Sequence, residues 1–131
     1  MSDQTDLARG WLQKADSDLF NARTITNTNG PYDTCCFHAQ QAIEKSLKAF
    51  LAFRSQAIPR THDLEVLEQL CRAIKPLPEL DALDLAALND FAVQVHYDFS
   101  VWPTQEEALE AVGTAEVVRE GVVAHLPFDS G

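Results

Sequence analysis

Apolar residues recur every three or four positions along most of the chain, which is the spacing of one face of an α-helix. A first helix is predicted from Asp6 to about Thr26, with an apolar stripe of Ala8, Leu12, Ala15, Leu19 and Ala22. After turn-forming residues 27–31, a second helix is predicted from about Tyr32 to Phe53. It carries the longest stripe, and we expect it to be central: Cys36, Ala39, Ile43, Leu47 and Phe50.

A third and a fourth helix are predicted after a short loop. Thr61 or Asp63 can cap the third helix by accepting hydrogen bonds from its first N–H groups, and this helix ends near Ile74. Pro78 suits the first turn of the fourth helix, because a missing N–H breaks no helical hydrogen bond there. The fourth helix is predicted to continue to about Tyr97.

The fifth helix is predicted to begin at a capping box, in which Thr104 and Glu107 each accept a hydrogen bond from the other's backbone N–H. It ends near Pro127. Phe99 and Trp102, in the loop before it, are expected to fold back on the bundle. No segment alternates with period two as a strand would, so the sequence predicts an all-α, antiparallel up-and-down bundle of four long helices and one shorter helix.

Length and composition fit one globular domain over residues 1–131, since 46% of the residues are hydrophobic and 23% are charged. No apolar run approaches the ~20 residues that cross a bilayer, and the polar, acidic first residues do not resemble a targeting signal. We expect a cytoplasmic protein with no membrane contact. The three cysteines have neither disulfide nor zinc spacing, so we expect buried thiols, no metal and no cofactor: Cys35, Cys36 and Cys71.

The excess negative charge lies in the C-terminal part of the chain. Residues 1–75 contain nine acidic and nine basic side chains, whereas residues 76–131 contain eleven acidic side chains and one basic side chain. Such a field repels nucleic acid, so DNA is not an expected partner and any RNA contact would be local to the basic stretch 45–75. A solvated acidic surface that keeps the protein soluble explains the same charge.

A polar stripe follows the second helix beside its apolar face. His38, Gln41, Lys45 and Lys48 are spaced by three, four and three residues, and Glu44 can pair with Lys48. Two interpretations stay open for this stripe. It is either a solvated face with one hydrogen bond to another helix or a binding surface.

Arg60 and His62, which precede the third helix, are further candidates for a binding surface. If they face the same direction as Lys45 and Lys48, the four side chains form a compact cationic site that suits a phosphate. Local capping at the start of the helix is the alternative role for His62.

Residues 37–49, preceded by Tyr32-Asp33 and followed by residues 61–64, resemble the HEPN family, named for higher eukaryotes and prokaryotes nucleotide-binding. The similarity extends from Trp11 to Pro127. It implies an antiparallel helical bundle that is commonly a homodimer. Many bacterial members are encoded beside a minimal nucleotidyltransferase in toxin–antitoxin pairs, others are proposed to bind nucleotides or to be interaction modules, and a subset are metal-independent ribonucleases with an Arg-x4–6-His motif.

Two observations bear on the ribonuclease activity that the resemblance allows. Related sequences end the fourth helix with Arg-Tyr-Pro, whereas this chain has His96-Tyr97-Asp98, and we treat His96 and Tyr97 as secondary candidates for binding. Arg119 and His125 match Arg-x5-His, but about half a match is expected by chance, and six residues of helix place the side chains about 120° apart. In a nuclease, His125 would move a proton and Arg119 would stabilise the phosphorane.

The sequence therefore leads to two hypotheses. The first is a non-catalytic or weakly catalytic dimeric bundle that binds a nucleotide or phosphate ligand, or a nucleotidyltransferase partner, in a toxin–antitoxin-like system. The second is a dimeric ribonuclease. For the first, the candidate binding residues are those of the stripe and the following loop: His38, Gln41, Lys45, Lys48, Arg60 and His62.

Overall fold

The computed structural model describes residues 3–127, and these residues form five α-helices in an antiparallel bundle with no strand. The predicted all-α fold is thus confirmed. None of the helices in this range is long and apolar enough to span a membrane. The helices are α1 (Asp3–Thr26), α2 (Asp33–Phe53), α3 (Leu64–Ile74), α4 (Leu85–Tyr97) and α5 (Gln105–Val123).

α2 is the central element, because it packs against all four other helices. Every residue of its predicted apolar stripe is at most 1% exposed, and every residue of the predicted α1 stripe is at most 4% exposed. Burying one large apolar side chain contributes roughly 1.5–3 kcal/mol, so these stripes hold the bundle together. The three cysteines are buried free thiols, as predicted.

Two predicted helix starts are confirmed. Asp63, rather than Thr61, caps α3, and its carboxylate accepts a hydrogen bond from the N–H of Glu65 at 2.9 Å. At α5 the Glu107 N–H donates to the Thr104 hydroxyl at 3.1 Å, and the Thr104 N–H donates to the Glu107 carboxylate at 2.9 Å. Both caps depend on residues close in sequence, which is why the pattern predicts them.

The predicted start of the fourth helix is wrong. Pro78 begins a short 3-10 turn that ends at Leu80, and α4 begins only at Leu85. Asp84 caps α4, with its carboxylate accepting from the Ala87 N–H at 3.0 Å. A proline fixes φ in a range that α-helices and 3-10 helices share, so Pro78 does not distinguish between them.

The loop between α4 and α5 also differs from expectation. Phe99 and Trp102 do not fold back on the core, since they are 89% and 60% exposed. Asp98 closes a turn here, because its carboxylate accepts from the Ser100 N–H at 2.9 Å and from the Ser100 hydroxyl at 2.6 Å. The loop is therefore shaped by its own hydrogen bonds, and its aromatic side chains remain at the surface.

α5 approaches the 3-10 turn closely at Gly121. A Cβ at this position would lie 2.9 Å from Leu80 Cδ1 and 3.0 Å from Glu79 Cβ. Glycine thus lets the turn pack directly on the helix. This contact places Glu79 beside the residues that follow α5.

Candidate functional site

The first half of the polar stripe on α2 is paired with a carboxylate from α1. Asp18 is 8% exposed and lies between two stripe residues. Its Oδ1 is 2.9 Å from Nδ1 of His38, and its Oδ2 is 2.6 Å from Nζ of Lys45. This role was not recognised from the sequence, although Asp18 lies three residues after Ala15 and therefore on the buried face of α1.

The second half of the stripe surrounds Glu44, which is only 3% exposed. The predicted pair forms, with Lys48 Nζ 3.0 Å from Glu44 Oε2, and His62 Nδ1 lies 3.1 Å from the same oxygen. Lys48 itself is 5% exposed, and its ammonium lies 5.5 Å from the ring centroid of Trp11. Lys48 is therefore enclosed between a carboxylate and an aromatic ring.

The structure thus divides the predicted cationic residues other than Arg60 into two clusters with the same composition. Each cluster contains one carboxylate, one lysine and one histidine. With the histidine neutral, the charges of each cluster cancel. A phosphate at either cluster would then meet no excess positive charge. In each cluster the lysine and the carboxylate mainly compensate each other's charge.

A groove of about 720 Å³ lies where α2, α4 and the loop after α4 meet. This volume is within the range of small-molecule sites. The groove unites four residues that the sequence had placed in separate features: Gln41, His62, His96 and Tyr97. Its walls also include aromatic residues and carboxylates that no sequence pattern had connected with a site: Asp33, Phe37, Asp98, Phe99 and Trp102.

The electrostatic environment of the groove is negative. Among residues 3–127, its lining contains two aspartates and two histidines but no lysine or arginine. Burial, together with Cys35 and the carboxylates of Glu107 and Asp33, raises the pKa of the Cys36 thiol in the lining to about 12. Hydrogen bonds from Ser100 lower the pKa of Asp98, which therefore stays ionised at neutral pH.

Of the other predicted binding residues, His38, Lys45, Lys48 and Arg60 do not line the groove. The first three belong to the two clusters described above. Arg60 is an exposed residue in the segment between α2 and α3. The structure consequently does not assemble the predicted stripe and loop residues into one cationic surface.

Arg119 and His125 are held by carboxylates on different elements. Arg119 Nε lies 2.9 Å from Oδ1 of Asp16 in α1, and Nη1 lies 2.9 Å from Glu120. His125 follows the end of α5, and its Nε2 lies 3.0 Å from Glu79 Oε1 in the 3-10 turn. The hydrogen bond from His125 lowers the pKa of Glu79, so that this carboxylate keeps its charge.

Within residues 3–127 no group of three or more His, Cys, Asp or Glu side chains is arranged to hold a metal ion. The buried cysteines are distributed between the first turn of α2 and the end of α3.

The fold and this arrangement define an all-α bundle with a groove beside its central helix. The family model for the HEPN domain matches residues 8–125, so the chain belongs to the HEPN domain family. The fold is also similar to the crystal structure of TT1696 from Thermus thermophilus, with a TM-score of 0.71 and 25% sequence identity. That match covers 91% of this chain and 98% of TT1696. None of the curated proteins matches the sequence.

Proposed function

We propose that this protein is a non-catalytic HEPN bundle that works by binding a minimal nucleotidyltransferase in a toxin–antitoxin-like pair, and that it does so as a homodimer. The observation that supports the proposal is the cluster of exposed apolar side chains at the groove. Contiguous exposed apolar surface on a globular protein is typical of an interaction site. We call these residues, which are 47–89% exposed, the groove face: Phe37, Val93, Tyr97, Phe99 and Trp102.

Arg119 and His125 each pair with a carboxylate, and these ion pairs favour a binding function over RNA cleavage. In the ribonuclease alternative, His125 must lie within hydrogen-bond reach of the reacting group, and Arg119 must point at the same phosphate. Here Arg119 is paired with Asp16 in α1, whereas His125 is paired with Glu79 in the 3-10 turn. Each would have to exchange a charged partner for substrate before it could act.

A nucleotide or phosphate ligand is the second candidate, and Arg60 is the residue that favours it. Arg60 is exposed, and it forms no ion pair within the described part of the chain. His62, two residues later, has a side chain that is 76% exposed at the edge of the groove. In this alternative the phosphate would contact these two residues, because Lys45 and Lys48 are occupied by Asp18 and Glu44.

The proposal predicts a gene for a small nucleotidyltransferase beside this one, and it is tested by co-expressing that gene's product with the chain and measuring complex formation and mass by light scattering. Val93→Asp places a charge on the groove face, so we expect at least a tenfold loss of affinity. Leu109→Asp on α5 is the matched control, because Leu109 is 53% and Val93 is 49% exposed. The absence of such a neighbouring gene, or a complex that Val93→Asp leaves intact, contradicts the proposal.

A further inference from the structure

We propose that the groove between α2 and α4 is a binding site for a small organic cation that combines an apolar body with a quaternary ammonium or guanidinium group. This site goes beyond partner binding and does not depend on it, because it concerns a free molecule inside the groove. The wall chemistry, the charge and the size of the groove each support it.

Aromatic side chains form a large part of the wall. Phe37 comes from the first turns of α2, Tyr97 from the end of α4 and Trp102 from the following loop, and Phe99 adds a fourth ring. A cation over the face of an aromatic ring is attracted by the ring's quadrupole, and tryptophan and tyrosine bind cations best. Rings from three separate elements therefore line one groove, where a cation can contact several of them.

The carboxylates in the wall determine which charge the groove accepts. Asp33 and Asp98 line it together with two histidines, His62 and His96, and among the described residues no lysine or arginine lines it. Asp98 stays ionised because Ser100 donates to it. An anion would face both carboxylates with only the two histidines to offset them, and a neutral apolar ligand would cover the carboxylates without pairing them. A cation pairs with them directly.

Long-range charge favours the same ligand. Residues 76–131 carry eleven acidic side chains and one basic side chain, and they include α4 and the loop that form one side of the groove. A field of one sign over a cleft raises the local concentration of oppositely charged ligands. The groove volume of about 720 Å³ accommodates an apolar body as well as the cationic group.

Trp102 provides a direct readout, because the chain contains only two tryptophans and Trp11 lies beside Lys48, away from the groove. In a Trp11→Phe background, Trp102 fluorescence is titrated at pH 8 and low ionic strength with benzyltrimethylammonium. Benzyl alcohol and benzenesulfonate serve as neutral and anionic probes with the same ring. We expect saturable binding of the cation, about tenfold weaker binding of the alcohol, and still weaker binding of the sulfonate.

The carboxylates are tested by Asp33→Asn and Asp98→Asn, which preserve shape and, at Asp98, an oxygen that can accept from Ser100. Each change is expected to weaken cation binding three- to tenfold and to leave benzyl alcohol binding unchanged. Asp90→Asn is the control, because Asp90 is an exposed α4 carboxylate outside the groove lining. Equal affinity for the three probes, no saturable signal, or cation affinity unchanged in both variants overturns the proposal.

This experiment separates the cation site from partner binding. The partner test measures a protein complex with Val93→Asp, whereas the cation test measures a small probe with the two asparagine variants. Cation binding without a nucleotidyltransferase complex would support the cation site and contradict the proposed function. A nucleotidyltransferase complex without cation binding would support the proposed function and contradict the cation site.

Discussion

Replacing Glu44 by alanine is expected to lower the free energy of unfolding by about 3–5 kcal/mol. Glu44 is 3% exposed and Lys48 is 5% exposed, so the change leaves a buried ammonium without its carboxylate. Desolvating an unpaired charge is far more costly than the net gain from the pair itself. Urea denaturation of the wild type and the variant measures the difference.

Glu116→Ala is the matched control, because Glu116 forms a comparable pair with Arg23 at 2.8 Å in an exposed setting. Exposed pairs contribute about 0–1 kcal/mol, so little stability should be lost. A similar loss in Glu44→Ala and Glu116→Ala would show that Lys48 is not confined as described. Such a result would also mean that Lys48 is free to bind a phosphate.

Phe50→Ala should lower the free energy of unfolding by about 3–5 kcal/mol, because it removes a large side chain that is 0% exposed in the central helix. Phe50 also packs edge-to-face with His125, with ring centroids 6.3 Å apart. The loss should therefore loosen the segment after α5 as well as the core. Thermal and urea unfolding measure the stability change.

Phe20→Ala provides the comparison, because it removes the same side chain from a position that is 69% exposed. Surface changes of this kind usually alter stability by about 0.5 kcal/mol or less. If Phe20→Ala proves as destabilising as Phe50→Ala, the assignment of α2 as the centre of the core is contradicted.

The features that the sequence predicted correctly depend on local spacing. The α2 stripe, the Asp63 cap and the Thr104–Glu107 box each follow from residues within one or two helical turns. The predicted start of α4 was wrong because Pro78 fits both an α-helix and a 3-10 helix, and Asp84 was identified as the cap only in the structure. Local patterns therefore define this bundle well, except where one residue fits two structures.

The candidate site was only partly predictable, because its residues come from different elements. The spacing placed His38 and Lys45 on one face, but their partner Asp18 lies on another helix. Likewise the groove joins α2, α4 and a loop, so the roles of Asp33 and Trp102 emerge only from the fold. The spacing of residues along one helix does not predict contacts between side chains of different elements.

The two carboxylate clusters and the groove lie on different parts of α2, and we assign them different roles. Asp18 and Glu44 pair with every predicted phosphate-binding cation except Arg60, and they connect α2 to α1 and to the segment before α3. The groove face keeps its apolar side chains exposed. Binding is therefore proposed for the groove face, while the polar stripe serves stability.

RNA cleavage is the most direct test of the central claim that this chain binds rather than cleaves. The purified protein is incubated with single-stranded RNA without added metal, alongside Arg119→Ala and His125→Ala. We expect the RNA to remain intact with all three proteins, since Arg119 is paired with Asp16 in α1 and His125 with Glu79 in the 3-10 turn. Cleavage by the wild type that both variants abolish would contradict the account.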